Sequence, residues 1–158
     1  LIQAQKRHMH IGVPGHGIVI AVPIKSVGGG KTVAFLNGET DNAAYTPSLN
    51  YAHELIVAVC SQGCTDMVMN AARAAGARGG TVLHGKGTGA NGAPKFYNIT
   101  IAQEKEMILI VAAASQKTAI MQSILKKAGP DSKAGTIVFS LPTTQVAGFA
   151  LLDNQDET

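Results

Sequence analysis

Leu55-Ile56-Val57-Ala58-Val59-Cys60 is an apolar, largely β-branched run of strand length, stopped at once by Ser61-Gln62-Gly63. Branched side chains suit a pleated surface, and glycine with polar neighbours suits a turn, so these nine residues read as a strand and its exit. Thr65 or Asp66 then offers an N-cap. Met67, Val68, Ala71, Ala72 and Ala75 recur at the helical period until Gly76 closes the segment. Further out, Gly79-Gly80 punctuates the chain, Thr81-Val82-Leu83 reads as a second strand, and Gly85 to Pro94 as a loop. Phe96 to Ile101 resumes an alternating extended pattern, and Gln103-Glu104-Lys105-Glu106 reads as a charged turn. Met107 to Ala113, apolar on both faces, reads as a central strand. Ser115 is placed to cap a second helix that carries Ala119, Ile120, Ile124 and Leu125 on one side and ends near Ala128-Gly129-Pro130. Ile137 to Leu141 supplies a last strand before Pro142.

The order is βαββαβ, which predicts an α+β, ferredoxin-like sandwich: one antiparallel sheet with two helices, spanning residues 53–153. The composition fits a globular chain. Of 158 residues 46% are hydrophobic and 15% charged, far from the signature of disorder. With no tryptophan and 18 glycines, the core must rest on Val, Ile, Leu, Met and Ala packed close to the backbone. Thirteen basic residues are scattered without a stripe and the net charge is only +3, so nothing calls for nucleic acid. An RNA-binding sheet would also need aromatic residues where Val57, Val59, Ile108 and Ile110 stand. The longest apolar runs, Ile18 to Val22 and Met107 to Ala114, fall well short of the roughly 20 residues of a membrane span. Cys60 and Cys64 suit reduced cytosolic thiols better than a secreted disulfide framework, with a redox pair as the other reading.

The amino-terminal part becomes legible against the carboxy-terminal end. Gly17 to Gly29 superimposes on Thr136 to Gly148 at a constant offset of 119, with Ile18, Val19, Pro23, Val27 and Gly29 matched by Ile137, Val138, Pro142, Val146 and Gly148. An internal repeat follows. Residues 1–29 are then expected to be the end of a preceding copy, 30–52 a linker, 53–153 the complete copy and 154–158 a tail. A lone strand cannot leave its backbone groups unpaired, so Ile18 to Val22 should dock on an edge of the complete domain or of a neighbouring chain.

The densest chemical feature is Gly76-Ala77-Arg78-Gly79-Gly80-Thr81-Val82-Leu83-His84-Gly85-Lys86-Gly87-Thr88-Gly89. Glycines let a backbone approach a ligand, and successive N–H groups make an anion-binding concavity that Lys86 would reinforce; a plain hairpin loop whose glycines serve turn geometry reads equally well. Two apparent phosphate loops fail. Gly80 to Lys86 has the right spacing, but Gly87 stands where a Ser or Thr should hold magnesium; ahead of Gly30-Lys31-Thr32, Lys25 replaces the first glycine. His8, His10 and His16 are close in sequence but lack a cysteine or carboxylate, so ordinary solvated histidines are the better reading. Glu104 and Glu106 read as a solvated corner rather than an acid–base pair. No nucleophile–base set assembles; His84 is the only candidate base, and nothing in the sequence orients it.

The runs Ala71 to Val82, Gly85-Lys86-Gly87-Thr88-Gly89, Glu104-Lys105-Glu106 and Leu141-Pro142 to Val146-Ala147-Gly148 resemble the PII and PII-like nitrogen-regulatory family over about the last hundred residues. Pro14-Gly15-His16-Gly17 resembles the corresponding end of another such domain. The resemblance implies a non-enzymatic, trimeric, cytoplasmic signalling protein that binds an adenine nucleotide, ATP or ADP, in clefts between subunits. It implies a loop, Gly87 to Phe96, that docks on a target transporter or enzyme. The implied nucleotide contacts fall on Gly79, Thr81, Gly85, Lys86, Gly87, Thr88 and Gly89, and on a second loop at Lys133, Ala134 and Gly135. The chain departs from PII proteins proper in reading Asp131-Ser132-Lys133-Ala134-Gly135-Thr136 where they carry Gly-Asp-Gly-Lys, in a short loop with Tyr97 at its edge, and in lacking their basic tail. The alternative is a structural or metal-associated trimer of the CutA type.

Overall fold

The computed structural model describes residues 2–11, 17–24, 48–87, 95–96, 99–100 and 102–148. Two compact units emerge, one of residues 1–50 with 142–158, the other of residues 51–141.

The second unit holds the sheet. Its strands are β2 (Asn50–Ser61), β3 (Thr81–Gly87), β6 (Gln103–Ala113) and β7 (Ile137–Thr143), in the spatial order β3-β6-β2-β7. Both β2 and β3 run antiparallel to β6, with Val57 opposite Leu109 and Leu83 opposite Met107. Helix α2 (Thr65–Ala74) connects β2 to β3, and α3 (Ala114–Ala128) connects β6 to β7. This is the ferredoxin-like arrangement expected from the sequence, with β2 and β6 central.

Period-two alternation sorts the strand residues. Ile56, Ala58, Cys60, Ile108, Ile110 and Ala112 meet Val68, Met69, Ala71, Ala72, Ile120 and Ile124 of the helices in one buried cluster. The helices therefore cover a single face. Leu83, Met107, Leu109, Val57 and Val59 point from the other face, as do Ile137 and Phe139, because Val138 between them packs into the helix-side core.

Several local readings need correction. β3 continues through His84-Gly85-Lys86-Gly87, so Gly85 to Gly87 is strand and not loop. The supposed charged turn is the start of β6: Gln103, Glu104, Lys105 and Glu106 lie opposite Gly87, Lys86, Gly85 and His84. A long tertiary ladder overrides the low strand propensity of glycine and charge. The extended stretch after the loop is instead a two-residue ladder, β4 (Lys95–Phe96) with β5 (Ile99–Thr100). Helix α3 starts at Ala114, one residue before Ser115, and no side chain caps it. Helix α2 begins after Cys64, whose own side chain makes no cap.

The first unit contains α1 (Ile2–Met9), β1 (Val19–Ala21) and β8 (Gln145–Ala147). β1 and β8 form an antiparallel ladder, and Ile2, Ile11 and Ala147 are buried together against Val19 and Ala21. The region expected to be a linker lies mostly outside the described residues, as does the tail.

Candidate functional site

One end of the sheet gathers most of the residues the sequence singles out. The last residues of β3 and β2, the first residues of β6 and the loop ahead of β7 all arrive there, tied by backbone hydrogen bonds. Ser61 N–H donates to Ala134 O (2.9 Å), and Gln62 N–H to Glu104 O (3.4 Å).

At the centre stands Glu106, only 6% exposed. Its Oε1 accepts from Gly63 N–H (3.1 Å); its Oε2 accepts from Thr65 N–H (3.2 Å) and from the Thr65 hydroxyl (2.6 Å). A carboxylate from β6 thus does what a side-chain cap would do for α2, satisfying orphan donors and complementing the positive end of the helix dipole. The Thr65 hydroxyl, then the Gly63 N–H, hold Glu106 below the usual carboxylate range against the opposing effect of burial. His84 Nδ1 lies 3.9 Å from Oε1. The first donors of α2 are thus met from within the chain. Glu106 is therefore a buried, hydrogen-bonded carboxylate and not the solvated corner expected from the sequence. The signal that would have found it is its parity with Ile108 and Ile110, which aims it at the helix side.

Around this centre Lys86 and Lys133 are exposed and Lys105 is half-buried. Lys86 Nζ lies 3.7 Å from Glu104, a pair open enough to water to contribute little, and Lys105 Nζ donates to Ser61 Oγ (3.3 Å). The loop before β7 braces itself: Ser132 Oγ donates to Gly129 O (2.7 Å) and accepts from Ala134 N–H (3.2 Å), while Thr136 N–H closes onto Ala128 O (3.1 Å). Gly135, at φ +55°, holds a left-handed conformation that a side chain would strain. Lys133 carries an exposed side chain here, and its carbonyl accepts a weak bond from Cys64 Sγ (4.0 Å).

The glycines divide by cause. A Cβ on Gly80 would stand 3.0 Å from both Ile108 Cγ2 and Met69 Sδ, so core packing demands that glycine. A Cβ on Gly79 or Gly85 would meet nothing within 4 Å, and neither has a left-handed backbone. Among the described residues nothing requires glycine at those two positions.

Gly85, Lys86 and Gly87 therefore share one end of the sheet with Lys133, Ala134 and Gly135, at opposite edges about 14 Å apart by strand spacing. Thr81 opens β3 and Gly79 precedes it by two residues, so along the strand Thr81 stands about 13 Å from Gly85 and about 20 Å from Gly87. Thr88, Gly89 and most of the loop from Gly87 to Phe96 lie outside the described residues. So does His16; among the described residues no group of three His, Cys, Asp or Glu could hold a metal.

Thiol chemistry is not favoured. Burial, and then the charges of Glu106 and Cys64, push the Cys60 thiol up to about 11, and both cysteines are free and buried. Among the described residues no helix is long and apolar enough to cross a membrane.

The model of the family described as nitrogen regulatory protein P-II matches residues 53–149, well over half of the chain. The chain belongs to the P-II family. Among solved structures, this P-II family member is similar to Arabidopsis thaliana PII bound to citrate, with 21% identity over 58% of this chain and 77% of that one at a TM-score of 0.46. It is also similar to a Bacillus cereus protein related to NIF3, with 14% identity over 65% of this chain and 29% of that one at a TM-score of 0.48. It thus spans less than a third of the Bacillus cereus protein. No curated protein matches the sequence.

Proposed function

We propose that this P-II family member is a non-enzymatic, cytoplasmic signalling protein that binds an adenine nucleotide, ATP or ADP, between protomers of a trimer and acts on a target transporter or enzyme through the loop from Gly87 to Phe96. The observation that carries the reading is the pair of glycines, Gly79 and Gly85, that neither packing among the described residues nor backbone conformation requires, Gly79 two residues ahead of β3 and Gly85 two residues before its end. Room left for a backbone to be approached closely is room for a ligand. Six residues of chain separate them by at most about 20 Å, and on this reading the nucleotide meets one from each of two neighbouring protomers.

The helix-free face supports association. Leu83 (47% exposed) and Met107 (39%) towards one edge, and Ile137 (65%) and Phe139 (43%) at the other, leave large apolar side chains open on that face. Lys86, Thr88, Gly87 and Gly89 would meet the phosphates from one protomer, with Gly79 and Thr81 contributed by its neighbour. Lys133 and Gly135, on the self-braced loop at the other edge, complete the set.

Calorimetry with ATP, ADP and AMP on the native assembly tests this. Binding of ATP or ADP, weakened at least tenfold by Gly85→Val with the fold retained, is expected. No heat at millimolar nucleotide with folded protein would remove the nucleotide from the account.

A further inference from the structure

The first unit carries an inference of its own. At the offset of 119 that aligns Gly17–Gly29 with Thr136–Gly148, the structural elements coincide as well. Helix α1 ends at Met9 and α3 at Ala128, which stand 119 residues apart. β1, Val19–Ala21, falls on Val138–Ser140 inside β7. A helix followed by a strand at matched ends and at the same offset as five identities is not what unrelated segments produce.

The strand so matched has a specific seat. Val19, Ile20 and Ala21 lie opposite Ala147, Val146 and Gln145 of β8, and Thr144 closes the ladder by donating its N–H (2.9 Å) and its hydroxyl (3.2 Å) to Ala21 O. The backbones approach closely at the other end. A Cβ on Gly148 would run into the Gly17 carbonyl oxygen and stand 2.9 Å from Ile18 Cα, with Gly148 at φ +96°. The repeat keeps this feature, since Gly29 is the counterpart of Gly148. β8 has no place in the βαββαβ order of the complete copy. What it does in this structure is hold a β7-like strand.

We propose that Ile2–Ala21 contains the closing helix and strand of a second P-II-type copy that precedes the complete one, and that β8 is the docking strand by which one copy holds the last strand of another. Its partner is a copy of the same fold. Recognition is by main-chain ladder and glycine contact, as in strand addition, and tolerates side-chain changes such as Ile20 for Phe139.

Two experiments test it. The offset carries residue 53, where the family match begins, to about 66 residues ahead of Leu1. The coding sequence there should specify strand, helix, strand and a glycine-containing loop, then a strand leading into α1. Upstream codons without that order, or a start codon too close to leave room for it, overturn the duplication. In the full chain, Ile20→Phe with Ala21→Ser and Val22→Leu turns Val19–Val22 into the sequence of Val138–Leu141. Hydrogen exchange across Gln145–Ala147 should stay within about threefold of wild type, whereas Gly148→Val should speed it more than tenfold. Equal loss of protection in both variants overturns the docking role of β8.

Discussion

Glu106→Gln keeps the shape of a buried side chain while removing its charge, and three donors converge on that charge: Gly63 N–H, Thr65 N–H and the Thr65 hydroxyl, at 3.1, 3.2 and 2.6 Å. Hydrogen bonds to an ionised group contribute about 1.5–3 kcal/mol each, and an amide keeps one acceptor while turning a donor toward the others. With the loss of a cap on α2, worth about 1 kcal/mol, Glu106→Gln should cost about 2 kcal/mol at pH 7. Glu106→Ala, which leaves all three donors without their acceptor, should cost about 4 kcal/mol. The pH dependence has a definite sign. Because folding lowers this carboxyl's pKa, its contribution is complete above the ordinary value of about 4.3 and is lost as pH falls through the lower, folded-state value. Urea unfolding followed by circular dichroism at pH 7 and at stepped lower pH reads both quantities. The gap between wild type and Glu106→Gln should close as pH drops below about 4. A gap under about 0.5 kcal/mol at pH 7, or one that persists unchanged in acid, would refute the capping role.

Three further outcomes are expected. Gly80→Ala, whose new methyl would press on Ile108 and Met69 at 3.0 Å, should destabilise by about 1–3 kcal/mol, while Gly85→Ala should change urea midpoints by less than the equivalent of about 0.5 kcal/mol. Leu83→Glu combined with Met107→Glu, opposed on the helix-free face, should shift the light-scattering mass toward that of the 16.3 kDa chain without loss of helical signal; an unchanged mass would place the interface elsewhere. Cys60 and Cys64 should react with a disulfide reagent only on unfolding, since both are buried and the Cys60 thiol sits near 11; labelling of the native protein within minutes would contradict the burial.

The sheet was legible because its two central strands obey simple rules. Leu55 to Cys60 and Met107 to Ala113 are long and apolar, the first stopped at Gln62-Gly63, and α2 and α3 keep a helical period after them. What failed to read was stabilised from a distance. Gly85-Lys86-Gly87 and Gln103 to Glu106 have poor strand propensity and are extended because they face each other across the β3·β6 ladder, a pairing no local window contains. Thr65 and Asp66 offer a local cap for α2, but the cap is supplied by Glu106, 41 residues from Thr65. The glycine motif was recognised as one string. Only the fold shows that Gly80 answers to Ile108 and Met69, while Gly79 and Gly85 answer to nothing among the described residues.

Hydrogen exchange of the native assembly with and without ATP reaches the central claim most directly. A single nucleotide held between protomers should slow exchange in the segments around both Gly79–Thr81 and Gly85–Gly87, two stretches whose nearest residues stand about 13 Å apart along β3, together with Lys133–Gly135. Slowing at only one end of β3, or at neither end in saturating ATP, would contradict it.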